Sequence, residues 1–400
     1  MERQDFTIDL RSAEDGSIEA TVVEAPRRAN PRVFFPKPVA QGDLDRFLSA
    51  FDTPGSMIDA KLKELSLSPR QMGERIFKGL FDGDIAELFV LCRDSASDGL
   101  RVRLRFRRDD PLASYLSAVP WERMWEPRVA QYLAIDAKTP LVREIAGAHR
   151  RAALEFEPPL RILVVDAAPA AQKSLNLKLE IERMTEALQP LQDAGRVELI
   201  RLPKATKDAL RDALLEKEIH VLHFLGPGGY DPASGNGSIL FEAEDGKTDE
   251  VDGEMLAAYL NQRRQSLRLV VLNACKTARH AGRGGSPWNE GVAAAILDRT
   301  AVTAVVANQC SISDFTAIEF SRIFYGRLAK GDAIDEAMTE VRLRLRPRSP
   351  PTRFPTSAAG SGPWDGFSNW RAGSSGATPP SKVPMAGLMC FSPAGRRSGG

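Results

Sequence analysis

The chain has 400 residues, of which 43% are hydrophobic and 27% are charged, proportions typical of a globular protein. The net charge of +1 and the pI near 7.7 give no electrostatic basis for binding nucleic acid or an anionic membrane surface. The sequence contains no apolar run of membrane-spanning length and does not begin with a signal-peptide pattern. We therefore expect a cytoplasmic protein with reduced thiols.

The first 157 residues predict a mixed α+β region. Within it, Leu100–Arg108 alternates arginines with apolar residues, which indicates a half-buried strand whose charged face is solvated. Other segments are the strand-like Ser17–Val23 and Arg32–Phe35, the helical Leu44–Leu48 and Lys61–Gly79, and Glu87–Arg93.

Residues 158–346 alternate strands with helices, and this predicts an α/β fold with a mostly parallel, doubly wound sheet flanked by helices. The nearly continuous apolar run Leu160–Asp166 is typical of a strand buried on both faces. Further strands are predicted at Val197–Leu202, His220–Leu225, Gly237–Glu242, Leu267–Asn273 and Ala301–Ala307. Helices are predicted at Thr206–Glu216, Asp314–Leu328 and Ile334–Leu345, and near Glu254–Asn261 and Gly291–Leu297.

The remaining segment, residues 347–400, is rich in Pro, Ser, Gly and Arg, a composition that favours a disordered tail. Val383–Phe391 is apolar enough to add one short strand.

Functional groups of an open parallel sheet lie beyond the carboxyl ends of its strands. Cys275 lies just past such a strand, where turn amides or a helix amino terminus favour the thiolate. Cys92 and Cys310 are better explained as buried residues. The four cysteines, which include Cys390, lack metal-ligand spacing, and we predict neither a metal nor another cofactor.

A cysteine nucleophile needs a base within hydrogen-bonding reach. His220 and His223 share a strand with side chains on opposite faces, and histidines in strands are usually core residues. His280 follows Cys275 on a glycine-rich loop, and His149 precedes the sheet region. The residues alone do not define a catalytic dyad.

Three segments, HVLHFLGPGGYD, LRLVVLNACKTAR and the stretch from GVAAAILDRT to AMTEVR, resemble the CHAT domain in the same order. This is a caspase-like family of the clan that also includes separase. Upstream, LFDGDIAELFV, LRVRLRF, VPWERMW and TPLVREI are similar to the part that usually precedes the CHAT core. The resemblance implies a cysteine-peptidase fold with a Cys–His dyad and Cys275 as the nucleophile.

The chain departs from the family at the dyad histidine. The family motif is H-F-x-G-H-G, whereas this chain has HFLGPG, so Pro227 occupies the histidine position and His223 matches the strand histidine. Gly228 still offers a backbone N–H for an oxyanion hole. Asp166 and Asp314 are candidates for selecting a basic substrate residue, although helix capping or loop hydrogen bonding explains them equally well.

The tail is a second departure, because family members usually close with a W-x-x-P-V-L-type strand. Natural divergence and a reading-frame change both explain this difference.

Three hypotheses follow. The first is an impaired or inactive peptidase that binds a peptide or protein partner, such as a sensor or effector, in bacterial signalling or defence. The second is an active cysteine endopeptidase in which His223 or His280 supplies the base for Cys275. The third is a nucleotide-binding domain with GPGGY as its phosphate loop; it is weakly supported, since neither a GxGxxG turn into a helix nor a Walker lysine is present.

Overall fold

The computed structural model describes residues 3–51, 53, 55–107, 109–146, 157–169, 177–202, 204–230, 237–261, 266–274, 291–309, 314–345 and 388–393. The amino-terminal part combines strands with helices, as predicted. Its strands are β1 (Gln4–Ser12), β2 (Ile18–Glu24), β3 (Arg32–Phe35), β4 (Leu100–Phe106), β5 (Trp125–Glu126), β6 (Gln131–Tyr132) and β7 (Leu141–Ile145). Its helices are α1 (Gln41–Ala50), α2 (Gly55–Lys63), α3 (Pro69–Leu80), α4 (Gly83–Ser95) and α5 (Ala113–Ala118).

The second part alternates strands and helices, and it adds a small antiparallel sheet. Its strands are β8 (Leu160–Asp166), β9 (Val197–Arg201), β10 (Val221–Leu225), β11 (Gly228–Tyr230), β12 (Gly237–Glu242), β13 (Thr248–Asp252), β14 (Leu269–Asn273), β15 (Ala304–Asn308) and β16 (Leu388–Pro393). Its helices are α6 (Leu177–Asp193), α7 (Lys207–Glu216), α8 (Gly253–Leu260), α9 (Val292–Arg299), α10 (Asp314–Leu328) and α11 (Ile334–Leu345).

An eleven-stranded sheet runs through both parts in the order β3-β2-β1-β4-β7-β16-β15-β14-β10-β8-β9. Neighbouring strands pair in parallel except for β1 with β2, β2 with β3, and β15 with β16. This arrangement confirms the predicted α/β class with a mostly parallel sheet flanked by helices. The strands β11, β12 and β13 form a separate antiparallel sheet beside the end of β10.

Both faces of the second half of the sheet are covered, which explains why its strands are continuously apolar. Along β10, Leu222 and Phe224 pack with residues of α7, α8 and α9. Val221 and Leu225 point the other way and pack with residues of α6, α10 and α11. We call the second set of contacts the α6/α10 layer.

The last described strand joins the two halves of the sheet. β16 pairs antiparallel with β15 and parallel with β7. A strand at this place agrees with the short strand expected within Val383–Phe391, and the rest of residues 347–400 lies outside the described residues. The predicted boundary between residues 157 and 158 falls between two strands of this one sheet.

The prediction of a solvated charged face on β4 is wrong. Arg101 binds Asp335 of α11 at 2.6 Å, Arg103 binds Asp5 of β1 at 3.1 Å, and Arg105 binds Glu144 of β7 at 2.8 Å. The three arginine side chains are only 11–21% exposed. The alternation in the sequence correctly separated the apolar face of β4 from the arginine face. It could not show that acidic residues from distant segments cover the arginines.

Candidate active site at the carboxyl edge of the sheet

Four parallel strands of the second half end at the same level. The register pairs Leu225 with both Asp166 and Asn273, and the pairing of the preceding residues sets Asn308 beside Asn273. Pro227 comes two residues after Leu225 along the chain, as Cys275 comes two residues after Asn273. The register therefore sets the ends of β10 and β14, which Pro227 and Cys275 follow in the sequence, side by side at one edge of the sheet.

Gly226 allows a close approach at the end of β10. A Cβ atom on this residue would lie 2.9 Å from the carbonyl oxygen of Ala167. The Ala167 N–H donates to the Leu225 carbonyl at 2.8 Å. The chain that leaves β10 therefore packs directly against the chain that leaves β8.

Pro227 and Gly228 lead from the large sheet into the small one. The Leu240 N–H of β12 donates to the Pro227 carbonyl at 3.1 Å. Gly228 lies opposite Ile239 in the register, and the bond between Leu240 and Pro227 joins the residues next to this pair. Gly228 and Ile239 are therefore a non-hydrogen-bonded pair of the antiparallel ladder. The Gly228 N–H consequently points away from β12, towards the side of β11 on which no described strand pairs with it.

This geometry does not support a phosphate loop. Gly228–Tyr230 is a strand paired with β12, rather than a loop that opens into a helix. It therefore lacks the converging amides that hold a phosphate at a helix amino terminus.

Several of the residues that the sequence analysis discussed cannot be placed relative to this edge. Cys275, His280, Cys310 and His149 lie outside the described residues. Asp314 is the first residue of α10, and its side chain is likewise not described.

His223 is buried in the α6/α10 layer with an exposed fraction of 0%. Its Nδ1 lies 2.9 Å from the hydroxyl of Tyr325 on α10. Burial lowers the pKa of His223 to about 3, so the imidazole is neutral at physiological pH. Among the described residues its Nε2 has no hydrogen-bond partner.

His220 lies directly before β10, and its side chain binds the backbone of β8. Its Nδ1 accepts a hydrogen bond from the Arg161 N–H at 2.9 Å. Its pKa is lowered, mainly by burial. The expected position of His220 within the strand is wrong, since β10 begins at Val221, but both histidines have local partners, as histidines of a core usually do.

Asp166 is engaged by a residue of the same chain. The Arg201 guanidinium at the end of β9 contacts both carboxylate oxygens, and its Nε lies 3.1 Å from Oδ1. The hydrogen bond with Asp166 also raises the pKa of Arg201. A basic ligand group would have to compete with Arg201 for Asp166.

Sequence reasoning missed a buried polar cluster just inside the strand ends. Glu180 of α6 accepts hydrogen bonds from the Asn273 amide and from Ser321 Oγ, the latter at 2.7 Å. The Asn308 amide donates to Asn273 Oδ1 at 3.2 Å. A signal was present, because LVVLNAC and AVVANQC both end a strand with Asn-x-Cys.

No group of three or more His, Cys, Asp or Glu side chains within the described part of the chain is arranged to hold a metal ion. The described helices include none that is both long and apolar enough to cross a bilayer.

The fold is an α/β architecture in which four neighbouring parallel strands end at one edge of the sheet. Residues 73–367 match the CHAT domain, and because this match covers most of the 400 residues, the chain belongs to the CHAT domain family. No curated protein matches the chain.

Solved structures of the Saccharomyces cerevisiae separase–securin complex resemble the chain in fold. The 3.0 Å structure aligns with a TM-score of 0.50 and 8% sequence identity. The 2.6 Å structure gives a TM-score of 0.49 and 9% identity. Each alignment covers 98% of this chain but 30% of the matched chain. At this identity the first match shows the fold alone.

Proposed function

We propose that this CHAT-family protein has lost most or all of its peptidase activity and binds a peptide or protein partner at the carboxyl edge of the sheet, where open parallel sheets form a crevice. The observation that carries the proposal is Pro227, which stands two residues after β10 where the family motif has its histidine. Proline has no titratable group and cannot accept the proton of the Cys275 thiol. Loss of a general base typically costs about 10²–10⁴ in rate.

The geometry of His223 argues against it as the replacement base. The side chain is fully buried and hydrogen-bonded to Tyr325. With a pKa of about 3, this imidazole is far too weak a base to take a proton from an ordinary thiol, whose pKa is about 8.5. Of the two base candidates from the sequence, only His280 keeps its place in the alternative hypothesis of an active endopeptidase.

Other features of the crevice favour retained binding. The Gly228 N–H points to the side of β11 that is unpaired among the described strands, where a bound carbonyl can accept a hydrogen bond from it. Cysteine is a few per cent thiolate at neutral pH even without a base. Chemical reactivity of Cys275 is therefore compatible with inefficient peptide cleavage.

The test compares the parent protein with Cys275→Ala and His280→Ala on a library of short peptides. We expect cleavage by the parent to equal that by Cys275→Ala, while iodoacetamide still labels Cys275 in the parent. Cleavage that disappears in Cys275→Ala but persists in a Cys310→Ala control would overturn the proposal. Loss of the same activity in His280→Ala would then identify the active endopeptidase and its base.

We further propose that the partner presents a basic residue to Asp166 and Asp314. Because Arg201 already binds Asp166, Arg201→Ala should strengthen the binding of basic peptides and Asp166→Asn should weaken it. Exposed ion pairs contribute about 0.2–1 kcal/mol, so changes of up to about fivefold in Kd are expected. Fluorescence titration with matched basic and acidic peptides measures them, and equal affinities in all three proteins would contradict the assignment of Asp166.

The resemblance to CHAT proteins is the basis for placing this binding role in bacterial signalling or defence.

A further inference from the structure

β3 ends the large sheet on the amino-terminal side, because β2 alone among the described strands pairs with it. The Val22 N–H of β2 donates to the Pro31 carbonyl, directly before β3, at 3.0 Å. Hydrogen-bonded and non-hydrogen-bonded pairs alternate along an antiparallel ladder, so Arg32 and Phe34 belong to pairs that exchange no hydrogen bonds with β2. The backbone N–H and C=O groups of Arg32 and Phe34 therefore point away from the sheet.

The side chains of these two residues are accessible as well. Phe34 is 56% exposed, and the Arg32 side chain is 57% exposed. The Arg32 guanidinium lies 5.8 Å from the centroid of the Phe34 ring, and its Nη1 lies 3.2 Å from Glu19 Oε1. Phe35, on the opposite face, is buried in the core. β3 thus offers an anchored strand, a free backbone edge and an exposed aromatic ring.

Prolines limit this edge at both ends. Pro31 precedes the strand and Pro36 follows it, and proline lacks the N–H that a pairing strand donates. Long free edges template open-ended aggregation. Here the prolines confine pairing to the strand itself, so the edge can accept one short strand in a defined register.

A second copy of β3 fits this edge. With a two-fold axis at Val33, antiparallel pairing sets Arg32 of each copy opposite Phe34 of the other, and both pairs use the outward-pointing groups. The guanidinium then faces an aromatic ring across the strands, the contact that these residues already make within one copy. Symmetric registers shifted by two residues are poorer, because they set Arg32 opposite itself or opposite Pro36.

Electrostatic repulsion does not oppose this contact. Glu19 binds Arg32 within each copy, so the two arginines meet the interface as members of ion pairs. The net charge of each chain is only +1, which leaves little long-range repulsion between copies.

We propose that β3 is a dimerisation edge, which pairs antiparallel with β3 of a second copy about Val33 and continues the large sheet from one copy into the other. The interface is isologous and closes after two copies. Its small size is typical of transient contacts, and we expect a dissociation constant on the order of 100 µM. This inference is independent of the proposed function.

The test measures the monomer–dimer equilibrium of the intact protein by sedimentation velocity from about 10 µM to about 500 µM. Phe34→Pro removes the outward-pointing N–H, a change that an edge strand tolerates because that group does not bond to the sheet. Phe34→Thr removes the ring but keeps the N–H. The control is Met255→Thr, which removes an exposed apolar side chain from α8.

We expect the parent and Met255→Thr to dimerise equally. Phe34→Thr should weaken dimerisation about threefold to tenfold, because the ring is lost from both cross-strand pairs. Phe34→Pro should weaken it further, by at least about thirtyfold in total, because each copy also loses one interchain hydrogen bond.

A parent that remains monomeric throughout this range would overturn the inference. So would equal weakening by Phe34→Pro and Phe34→Thr, since the ring alone would then make the contact. If Phe34→Pro does not fold, Val33→Cys decides. Residues at the axis form a non-hydrogen-bonded pair with Cα atoms about 4.5 Å apart, which suits a disulfide. Oxidation should yield a covalent dimer of Val33→Cys but not of Val23→Cys on β2, and equal cross-linking of the two would refute the register.

Discussion

Burial makes the contribution of His223 to the stability of the protein depend on pH. Its pKa in the folded protein is about 3, whereas an exposed histidine has a pKa of about 6.5. Between these values the unfolded chain binds a proton that the folded chain does not bind. Stability should therefore fall as the pH decreases from 6.5 towards 3, and His223 should contribute no pH dependence above that range.

We expect this effect to distinguish the parent from His223→Gln in urea unfolding. Between pH 7 and pH 5 the parent should lose about 2 kcal/mol more unfolding free energy than the variant, at about 1.4 kcal/mol per pH unit below 6.5. His220, whose pKa is also lowered, is present in both proteins and cancels from the comparison. Equal losses would show that His223 is accessible to protons in the folded state.

A second residue-scale prediction concerns the close approach at Gly226. Gly226→Ala should destabilise the protein by about 1–3 kcal/mol, because the added methyl group meets the Ala167 backbone. Gly326 in α10 is the matched control, since a Cβ there meets nothing within 4 Å. Gly326→Ala should instead stabilise by about 0.5–1 kcal/mol through helix propensity. Urea midpoints measure both, and a neutral Gly226→Ala would contradict the proposed packing.

At this scale only part of the site could be predicted from the sequence. The strand pattern was sufficient to predict the ends of β10 at Leu225 and of β14 at Asn273. The hydrogen bond from Asn273 to Glu180 joins residues 93 positions apart, so local pattern could not reveal it. The repeated Asn-x-Cys pattern at the ends of β14 and β15 was the only sequence feature that we connect with this hydrogen bond.

Among the elements, strands with two buried faces were predicted best. Leu160–Asp166 has the predicted bounds because continuous apolar composition and burial coincide there. The strand predicted at Ala301–Ala307 begins three residues later, at Ala304, because Ala301 and Val302 are buried before β15 begins, and it ends one residue later, at Asn308. β11 was missed because two of its three residues are glycine and its pairing depends on β12.

β16 gives an element-scale prediction. It lies between β7 and β15, so a chain that ends at residue 387 would leave the edges of both strands unpaired. We expect a lower urea midpoint and self-association, because unpaired edges template contacts with other chains. Deletion of residues 394–400 alone, which keeps β16, should change neither property.

Urea unfolding and size-exclusion chromatography of the two truncated proteins make this comparison. Identical behaviour of the two would mean that β16 does not hold the halves of the sheet together.

For the whole molecule, membership of the CHAT family and likeness in fold to the 3.0 Å separase–securin structure leave the chemistry open. The match with the first of these structures has 8% identity, which transfers an architecture but no catalytic residue. Our account therefore depends on one claim about this chain: that the crevice is intact and lacks only its base.

The most direct measurement of that claim is peptide cleavage by Pro227→His, compared with the parent and with Pro227→His/Cys275→Ala. Because a general base contributes about 10²–10⁴ in rate, we predict a gain of at least about 100-fold that vanishes when Cys275 is removed. A folded Pro227→His protein without such a gain, or a parent that already cleaves as fast, would contradict the account.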